Sequence, residues 1–439
     1  MRVLLIGPTA LDDRGRPIKQ RKLHLPGLTL PMLAAVTPRH VSLKLISETI
    51  EDIPYDENWD LVGLTGMGSG IVRAWQIADE FRKRRTPVVI GGIAASLSNP
   101  DWNLAHADCV ITGEAEEIWP EVLNDFQRGQ LRPHYAMLRR PDIDTLPLPR
   151  YDLMNRNKLG MWRPVQATRG CPFPCTFCSI QSFFERSYRK RPVDQILRDV
   201  RAAKKSGSRF IAFIDDNIGV DWNFFQELME ALIPEKIIWM SQCSIHIADQ
   251  PDMLALAFKS GCRLLSFGIE STNEESLGWI EKDFNKPLQY TQALNTIRKS
   301  GIDVSTEMIL GLDGDDDSVF QKTYDFVIQN KIGVPRIHIL TPIPGTALYC
   351  ELEGEGRILS RDFRRYSGGQ VVFKPKNIDP DHLQRRYWKL YEQLFTRRAI
   401  LRRMSASPSK NGTWMRAFIF GVNLHYRNHI RRRITPGIV

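Results

Sequence analysis

The sequence lacks long hydrophobic runs, although 42% of its 439 residues are hydrophobic. No stretch approaches the roughly 20 apolar residues that a helix needs to cross a bilayer. The apolar run at residues 3–7 is too short for a secretory signal and predicts a first strand. With its ordinary globular composition, the chain is expected to be cytoplasmic and to form two or three domains.

Acidic residues are nearly missing from the end of the chain. From Arg385 onward there are thirteen Lys and Arg residues against Glu392 alone, a net charge of +12. Since the whole chain carries +10, residues 1–384 carry −2. The basic character therefore belongs to the carboxyl-terminal region, whose natural partner is an acidic surface.

Cysteine is also scarce, and three of the seven residues crowd into one short stretch. Residues 167–178 read Ala-Thr-Arg-Gly-Cys-Pro-Phe-Pro-Cys-Thr-Phe-Cys, with Cys171, Cys175 and Cys178 separated by three and then two residues. An odd, tightly spaced set without a secretory signal indicates metal or redox chemistry and not disulfides. Two prolines keep the segment a loop.

Thiolates are the ligands of iron–sulfur clusters, and one loop can wrap one cluster. Three thiolates leave one iron of a four-iron cluster without a protein ligand. A structural zinc site needs a fourth Cys or His, and none follows within the next sixty residues. The loop therefore predicts a cluster with one open iron.

This spacing, Cys-x3-Cys-x-aromatic-Cys with Phe177 in the aromatic position, resembles the radical S-adenosylmethionine (SAM) superfamily. The resemblance implies a [4Fe–4S] cluster whose open iron is chelated by the amino and carboxylate groups of SAM. One electron, from a donor such as flavodoxin or ferredoxin, then cleaves SAM to methionine and a 5′-deoxyadenosyl radical.

Residues 1–135 alternate strands with helices and predict a doubly wound, Rossmann-like α/β domain. Ligands of such sheets bind beyond the carboxyl ends of the strands. Thr65, Gly91, Gly92 and Glu114 follow or end predicted strands, so they are candidate binding residues. The glycines have an equally good explanation in turns, which need their freedom at positive φ.

Such a domain placed before a radical SAM core resembles the cobalamin-binding class, which includes class B methylases and anaerobic cyclases. The resemblance implies cobalamin lying across the strand ends. One departure stands out: where Asp-x-His-x-x-Gly would supply an axial histidine, residues 7–14 read Gly-Pro-Thr-Ala-Leu-Asp-Asp-Arg. No imidazole from that motif is expected on cobalt, and a nucleotide-binding sheet that has lost its ligand is the alternative.

Residues 136–160 are rich in proline and predict a linker. Residues 161–345 then repeat strand and helix and predict a partial (β/α)6 barrel, whose active site lies at the carboxyl ends of the strands. The six expected strands are residues 164–168, 210–214, 237–241, 264–269, 304–310 and 336–340.

Polar residues at these strand ends are the candidates for binding SAM. Asp215 and Asp216 follow the second strand, where the resemblance places a polar group near the SAM amino group; capping of the next helix is an equal alternative. Ser241 ends the third strand and could line the site or reflect ordinary loop polarity. Glu270 matches the Gly-x-Glu of the family, and Gly311 is expected beside the adenine.

Residues 346–439 predict a basic, helical region, with helices at residues 382–403 and 414–426. The second helix could lie on an anionic membrane or could pack over the barrel mouth with a solvated basic end. Aromatic and basic residues alternate there, yet no RNA-binding module is recognisable, so nucleic acid is not an expected partner.

These features predict a radical SAM enzyme that, with cobalamin, C-methylates an unactivated carbon of a lipid, a tetrapyrrole or another secondary metabolite. Oxidation, cyclisation, or carbon–carbon or carbon–sulfur bond formation by the same radical is the first alternative. A non-catalytic cobalamin or iron–sulfur sensor is the second. The basic tail favours a lipophilic substrate and peripheral contact with the inner face of the membrane.

Overall fold

The computed structural model describes residues 1–437. The chain forms two compact units: unit 1 comprises residues 1–165 and 189–208, and unit 2 comprises residues 166–188 and 209–437. Both are built on parallel sheets, so the predicted α/β class is confirmed. The finer domain boundaries, 1–135, 136–160, 161–345 and 346–439, stay predictions.

Unit 1 contains a sheet of six parallel strands in the order β2-β1-β3-β4-β5-β6. The order reverses at β1, and the crevice beyond the strand ends at such a reversal is where open α/β sheets bind ligands. The strands are β1 (Arg2–Gly7), β2 (Ser42–Ser47), β3 (Leu61–Thr65), β4 (Val88–Gly91), β5 (Cys109–Thr112) and β6 (His134–Ala136).

The core of this sheet is organised around Trp119, which is fully buried. Gly63 on β3 makes room for it, since a Cβ there would lie 3.3 Å from the indole ring. The indole Nε1 donates to Thr37 Oγ1 at 2.9 Å. The helices of the sheet are α1 (Thr29–Val36), α2 (Gly70–Lys83), α3 (Ile93–Leu97), α4 (Pro100–Leu104) and α5 (Ile118–Gln127).

Along residues 137–208 the chain leaves unit 1, contributes residues 166–188 with the cysteine loop to unit 2, and returns to unit 1. The expected linker contains only 3-10 turns, and the expected first barrel strand is two short strands separated by Gln166 and Ala167. Residues 193–205, expected as a barrel helix, belong to unit 1. The elements are β7 (Trp162–Val165), β8 (Thr168–Arg169), α6 (Ser179–Phe184), β9 (Arg189–Lys190) and α7 (Val193–Lys205).

Within unit 2, five parallel strands lie in the order β14-β13-β12-β11-β10. They are β10 (Phe210–Phe213), β11 (Ile238–Gln242), β12 (Cys262–Glu270), β13 (Asp303–Leu310) and β14 (Val334–Ile339). Helices alternate with them, as the sequence predicts: α8 (Trp222–Leu232), α9 (Pro251–Lys259), α10 (Glu274–Trp279), α11 (Tyr290–Lys299) and α12 (Val319–Gln329). A barrel count of six stays a prediction.

The carboxyl-terminal region folds onto unit 2 as four helices, α13 (Ala347–Gly354), α14 (Pro380–Leu394), α15 (Arg397–Met404) and α16 (Gly412–Arg431). The helix expected over residues 382–403 is divided because the Thr396 side chain caps α15, accepting from the Ala399 N–H at 3.2 Å. From α14, the Tyr391 hydroxyl pairs with Ile337 N and Ile337 O, both at 2.7 Å.

Helix α16 covers the amino ends of the strands. Its buried residues Met415 and Ile419 pack with Leu264 near the start of β12 and Val334 at the start of β14. The barrel mouth lies at the carboxyl ends of the strands, whereas the apolar side of α16 packs on their amino ends. The expectation that this helix covers the mouth is therefore wrong. Within residues 1–437, no helix has the length and apolar character needed to cross a membrane.

Candidate cluster and cofactor site

The cysteine loop begins at Gly170, whose φ of +84° requires glycine. A Cβ there would also overlap the carbonyl oxygen of Ser187. Asp215 accepts hydrogen bonds from Ala167 N at 3.1 Å, from Thr168 Oγ1 at 2.6 Å and from Thr168 N. Asp216 accepts from Gly170 N at 3.0 Å. The two aspartates thus hold the start of the loop in place.

Burial raises the pKa of Asp215 to about 7 and that of Asp216 to about 6. Neither residue caps the following helix α8, because Asp221 does so by accepting from Phe224 N at 3.0 Å. The capping alternative is therefore wrong. The predicted role of both aspartates near the SAM amino group stays a prediction.

The far side of the loop is fixed by the segment that follows α10 and by α13. Thr176 N donates to Ile280 O at 3.2 Å, and Leu348 N donates to Thr176 O at 3.1 Å. The Phe173 ring stacks on Phe284, with centroids 4.3 Å apart. The three cysteines are therefore presented by a loop that is held at both ends.

One buried cation, Lys282, interacts with all three thiols. Burial raises the pKa of Cys171, Cys175 and Cys178, that of Cys175 to about 12, and the Lys282 ammonium opposes this rise at each of them. The Asn217 side chain also opposes the rise in the pKa of Cys171. Thiolates are thus costly here without positive charge, which bound iron would supply.

Lys282 also pairs with Glu270, the acid that the sequence singles out. Lys282 Nζ lies 2.6 Å from Glu270 Oε1, and both side chains are largely buried. The pair lies over Gly268, where a Cβ would be 2.7 Å from Nζ and would overlap the carboxylate. Glu270 has a φ of +59° at the end of β12, an unfavourable conformation for a residue with a side chain. Such strain is typical of functional sites.

Three cysteine thiols on one loop are the type of donor that an iron–sulfur cluster takes. Within residues 1–437, no three His, Cys, Asp or Glu side chains lie close enough together to hold one metal ion. A [4Fe–4S] cluster binds each thiolate through a different iron, so its ligands are spread more widely. In the same loop, Thr176 Oγ1 is buried and has no hydrogen-bond partner.

Three further predicted residues are occupied by contacts within unit 2. Ser241 Oγ donates to Phe213 O at 3.0 Å. Gly311 has a φ of +89°, and its N–H donates to Asp315 Oδ2 at 3.0 Å. Phe177 packs against the apolar cluster that includes Leu312. Their roles toward SAM stay predictions.

In unit 1, the structure brings Thr65, Gly91 and Gly92 together. Gly66 N donates to Gly91 O at 2.8 Å, and a Cβ on Gly92, whose φ is +97°, would lie 2.7 Å from Thr65 Oγ1. Gly92 thus has the positive φ that the turn explanation expects. Both glycines lie where two strand ends pack closely. Whether they also contact a ligand stays a prediction.

Glu114, the fourth predicted residue of unit 1, is held by ion pairs and not by close backbone packing. Its carboxylate is buried and pairs with Arg189 at 2.6 Å and with Arg140 at 3.7 Å. An acid held by two arginines is stabilised where it is, and its predicted contact with cobalamin is untested.

The same strand-end edge exposes apolar side chains. Met67, just beyond β3, is 78% exposed, and Leu138, just beyond β6, is 98% exposed. Gly68, with a φ of +50°, leaves the neighbouring backbone open because nothing lies within 4 Å of the position of a Cβ. An open backbone flanked by apolar side chains fits a flat macrocycle such as a corrin.

Sequence reasoning missed Lys282, and it gave Asn217 and Gly268 no role of their own. A single lysine in a polar stretch resembles a surface residue, and nothing local connects it to an acid twelve positions earlier. Gly268 carried a usable signal, since a glycine two residues before an acid at a strand end leaves room for that side chain to fold back.

The comparisons with known proteins agree with this geometry. The model of the radical SAM superfamily matches residues 165–327. The bacteriochlorophyllide d C-12(1)-methyltransferase of Chlorobaculum tepidum is 30% identical over 419 residues, covering 93% of this chain and 89% of the relative. The bacteriochlorophyllide d C-8(2)-methyltransferase of the same organism is 29% identical, covering 87% of this chain and 88% of the relative.

A solved structure resembles the chain in fold. The radical SAM methyltransferase TsrM from Kitasatospora setae, solved with cobalamin and a [4Fe–4S] cluster bound, gives a TM-score of 0.65 at 15% identity. The match covers 89% of this chain and 88% of that one.

Proposed function

The chain belongs to the radical SAM superfamily, as its cysteine spacing predicts, and we propose that it C-methylates a tetrapyrrole of the chlorin type. The observation that carries the reaction class is the fixed three-cysteine loop with the buried Glu270–Lys282 pair beside it. The substrate class is supported by the two relatives whose names specify bacteriochlorophyllide d.

Family membership brings a [4Fe–4S] cluster and SAM, which together supply a 5′-deoxyadenosyl radical when bound. Cys171, Cys175 and Cys178 would hold the cluster through their thiolates, with no fourth protein thiolate in the loop. Asp215 and Asp216 keep the loop in place through its backbone N–H groups. The Asn217 side chain favours the thiolate form of Cys171.

Glu270 and Lys282 match the charges on the methionine end of SAM, which carries an ammonium and a carboxylate. Buried charges are stable only when paired, so the two side chains hold each other until the zwitterion arrives. Glu270 would then accept from an N–H of the SAM amino group, and Lys282 would donate to the SAM carboxylate. Gly268 leaves the space in which the carboxylate and ammonium rearrange.

We infer that unit 1 holds cobalamin, which supplies the methyl group when bound. The exposed Met67 and Leu138 and the open backbone at Gly68 would support the ring. The residues that follow β1 supply no Asp-x-His-x-x-Gly motif, so we do not expect an imidazole from that motif on cobalt. We further propose that the protein works in the cytoplasm with flavodoxin or ferredoxin as electron donor.

The test is anaerobic reconstitution of the full chain with iron and sulfide, followed by reaction with cobalamin, SAM, bacteriochlorophyllide d and reduced flavodoxin as the one-electron donor. We expect 5′-deoxyadenosine, S-adenosylhomocysteine and a product heavier by one methyl group. The variant C175A should lose all three products, at least a thousandfold in rate, because the cluster loses an iron ligand. The variant C350A removes an exposed thiol and should behave as wild type.

Other outcomes discriminate between the alternatives. Formation of 5′-deoxyadenosine with an oxidised or cyclised product would replace methyl transfer with radical oxidation. Absence of 5′-deoxyadenosine from cluster-loaded protein would favour a sensor.

A further inference from the structure

The outer surface of the last two helices carries cations and apolar side chains. We call it the C-terminal face. Its apolar members are Leu401, Phe420 and Leu424, which are 62%, 37% and 40% exposed. Its exposed cations are Arg397, Arg398, Arg402, Arg416 and Arg431.

This face belongs to a fixed part of the fold. Residues 416, 420, 424 and 431 recur at helical spacing along one side of α16, while Met415 and Ile419 on the other side are fully buried. Arg403 fastens α15 by donating to Ile332 O at 2.9 Å and to Asn423 Oδ1 of α16 at 2.8 Å. The charges are therefore presented on a rigid surface.

The face has little negative charge of its own. Glu392 is the one acid from residue 385 onward, and it pairs with Arg433 at 3.1 Å. Within the described chain, Arg398, Arg402 and Arg431 take part in no ion pair. Their natural counter-charge is outside the protein.

We propose that the C-terminal face binds the surface of an anionic lipid membrane. Lipid phosphates would pair with the arginines, and Phe420, Leu424 and Leu401 would enter the interfacial layer beneath them. A lipid surface offers both negative charge and an apolar layer, which is the combination that this face presents. The proposal is independent of the reaction and of the substrate.

Two other partners fit less well. Single-stranded nucleic acid is bound by stacking on exposed aromatic rings, whereas Trp414, Phe418 and Tyr426 of α16 pack against the apolar cluster at the strand ends. An acidic electron donor would dock too far from the iron. The face adjoins the amino ends of β12 and β13, strands of nine and eight residues, or roughly 26–30 Å from the carboxyl ends.

The test is flotation of the full chain with vesicles of phosphatidylcholine, with or without about one third phosphatidylglycerol. We expect binding to the anionic vesicles alone, weakened by salt. The variant R398Q/R402Q/R431Q should bind on the order of a hundredfold more weakly, since each arginine contributes about fivefold. The variant F420Q/L424Q should lose about tenfold.

Matched controls distinguish binding through the C-terminal face from a general effect of surface charge or exposed apolar side chains. The variant K286Q/K374Q/K376Q removes three exposed charges away from the amino ends of the unit 2 strands, and L288Q/L359Q removes two exposed leucines outside the C-terminal face. Both should bind as wild type, and circular dichroism should show all four variants folded. Wild-type flotation by the arginine variant, or a tighter and equally arginine-dependent affinity for single-stranded RNA, would overturn the proposal.

Discussion

The two ends of the unit 2 sheet are built from the same strands but handle buried charge differently. At the carboxyl end, Glu270 and Lys282 are opposite charges 2.6 Å apart, beside three thiols and on a strained backbone. At the amino end, the buried Arg403 has no carboxylate partner among residues 1–437 and donates to neutral oxygens instead. Burial accordingly lowers the pKa of Arg403 to about 9.

This difference indicates that the buried charges at the carboxyl end serve ligand binding, whereas Arg403 at the amino end serves the stability of the fold. A paired charge can exchange its partner for a charged ligand, so the carboxyl end is complementary to a zwitterion. A guanidinium held by backbone carbonyls has no partner to exchange, so it acts as a fixed clamp between α15, α16 and the loop before β14. Substitutions at the two ends should therefore affect different measurements.

Among substitutions of the buried charges, the largest effect is expected from Lys282→Met. The change leaves the Glu270 carboxylate buried without a partner and removes the cation beside the thiols. We expect SAM cleavage by the cluster-loaded protein to fall on the order of a hundredfold, which corresponds to about 3 kcal/mol. The measurement is 5′-deoxyadenosine formed per cluster.

A double variant sharpens that result. E270L/K282M removes both charges and should recover thermal stability without recovering cleavage, because an apolar pair is tolerated where a single charge is not. K286M alters an exposed lysine four residues away and should cleave SAM normally. Normal cleavage by K282M would show that the charge pair at the carboxyl end is only structural.

The sequence predicts the strands of both units well, but in the carboxyl-terminal region it misses one helix and the packing side of another. Buried parallel strands such as β3 are continuous apolar runs ending in glycine or threonine, and they are found within a residue or two. Helix α13 has no clear stripe and was missed. The side on which α16 packs depends on the shape of the strand ends, which no local pattern encodes.

For the site, the iron ligands are predictable because their spacing within one loop is itself the signal. Lys282 and Asn217 are not, since each meets the loop only through the tertiary fold. Asp215 and Asp216 are an intermediate case. Their position at a strand end was predicted, but their hydrogen bonds to the backbone of the loop were not.

At the amino end, Arg403→Ala should cost stability and leave the chemistry intact. The change removes four donated hydrogen bonds, leaving Ile332 O, Gly333 O, Leu394 O and Asn423 Oδ1 without this donor. Each unsatisfied buried acceptor costs at most about 1–3 kcal/mol. We therefore expect the free energy of local opening to fall by about 3 kcal/mol. Amide hydrogen exchange in β14 should accelerate on the order of a hundredfold.

The neighbouring Arg402 provides the control, because its side chain is exposed. R402A should leave exchange in β14 unchanged, and both variants should cleave SAM at wild-type rate below the melting temperature. If R403A slowed cleavage in folded protein, the two ends would be coupled and the separation would be wrong.

The smallest effect concerns Asp303, a carboxylate at the start of β13 that is buried at the amino end. Burial raises its pKa to about 6, although Asn411 Nδ2 at 2.8 Å and Ser407 Oγ at 3.1 Å donate to it. A carboxyl group whose pKa is raised on folding binds its proton more tightly in the native state. Protonated Asp303 therefore stabilises the native state at low pH, and this contribution is lost as the pH rises from about 4 to about 6.

We expect wild type to gain about 1 kcal/mol over Asp303→Asn as the pH falls from about 7 to about 5, measured by urea denaturation. The asparagine variant lacks this titration, so the difference between the two curves isolates the one group. D249N removes an exposed carboxylate and should track wild type at every pH. Parallel curves for wild type and D303N would mean that Asp303 stays ionised, and that the cations at this end, Arg298 and Arg416, compensate its burial as fully as Lys282 compensates Glu270.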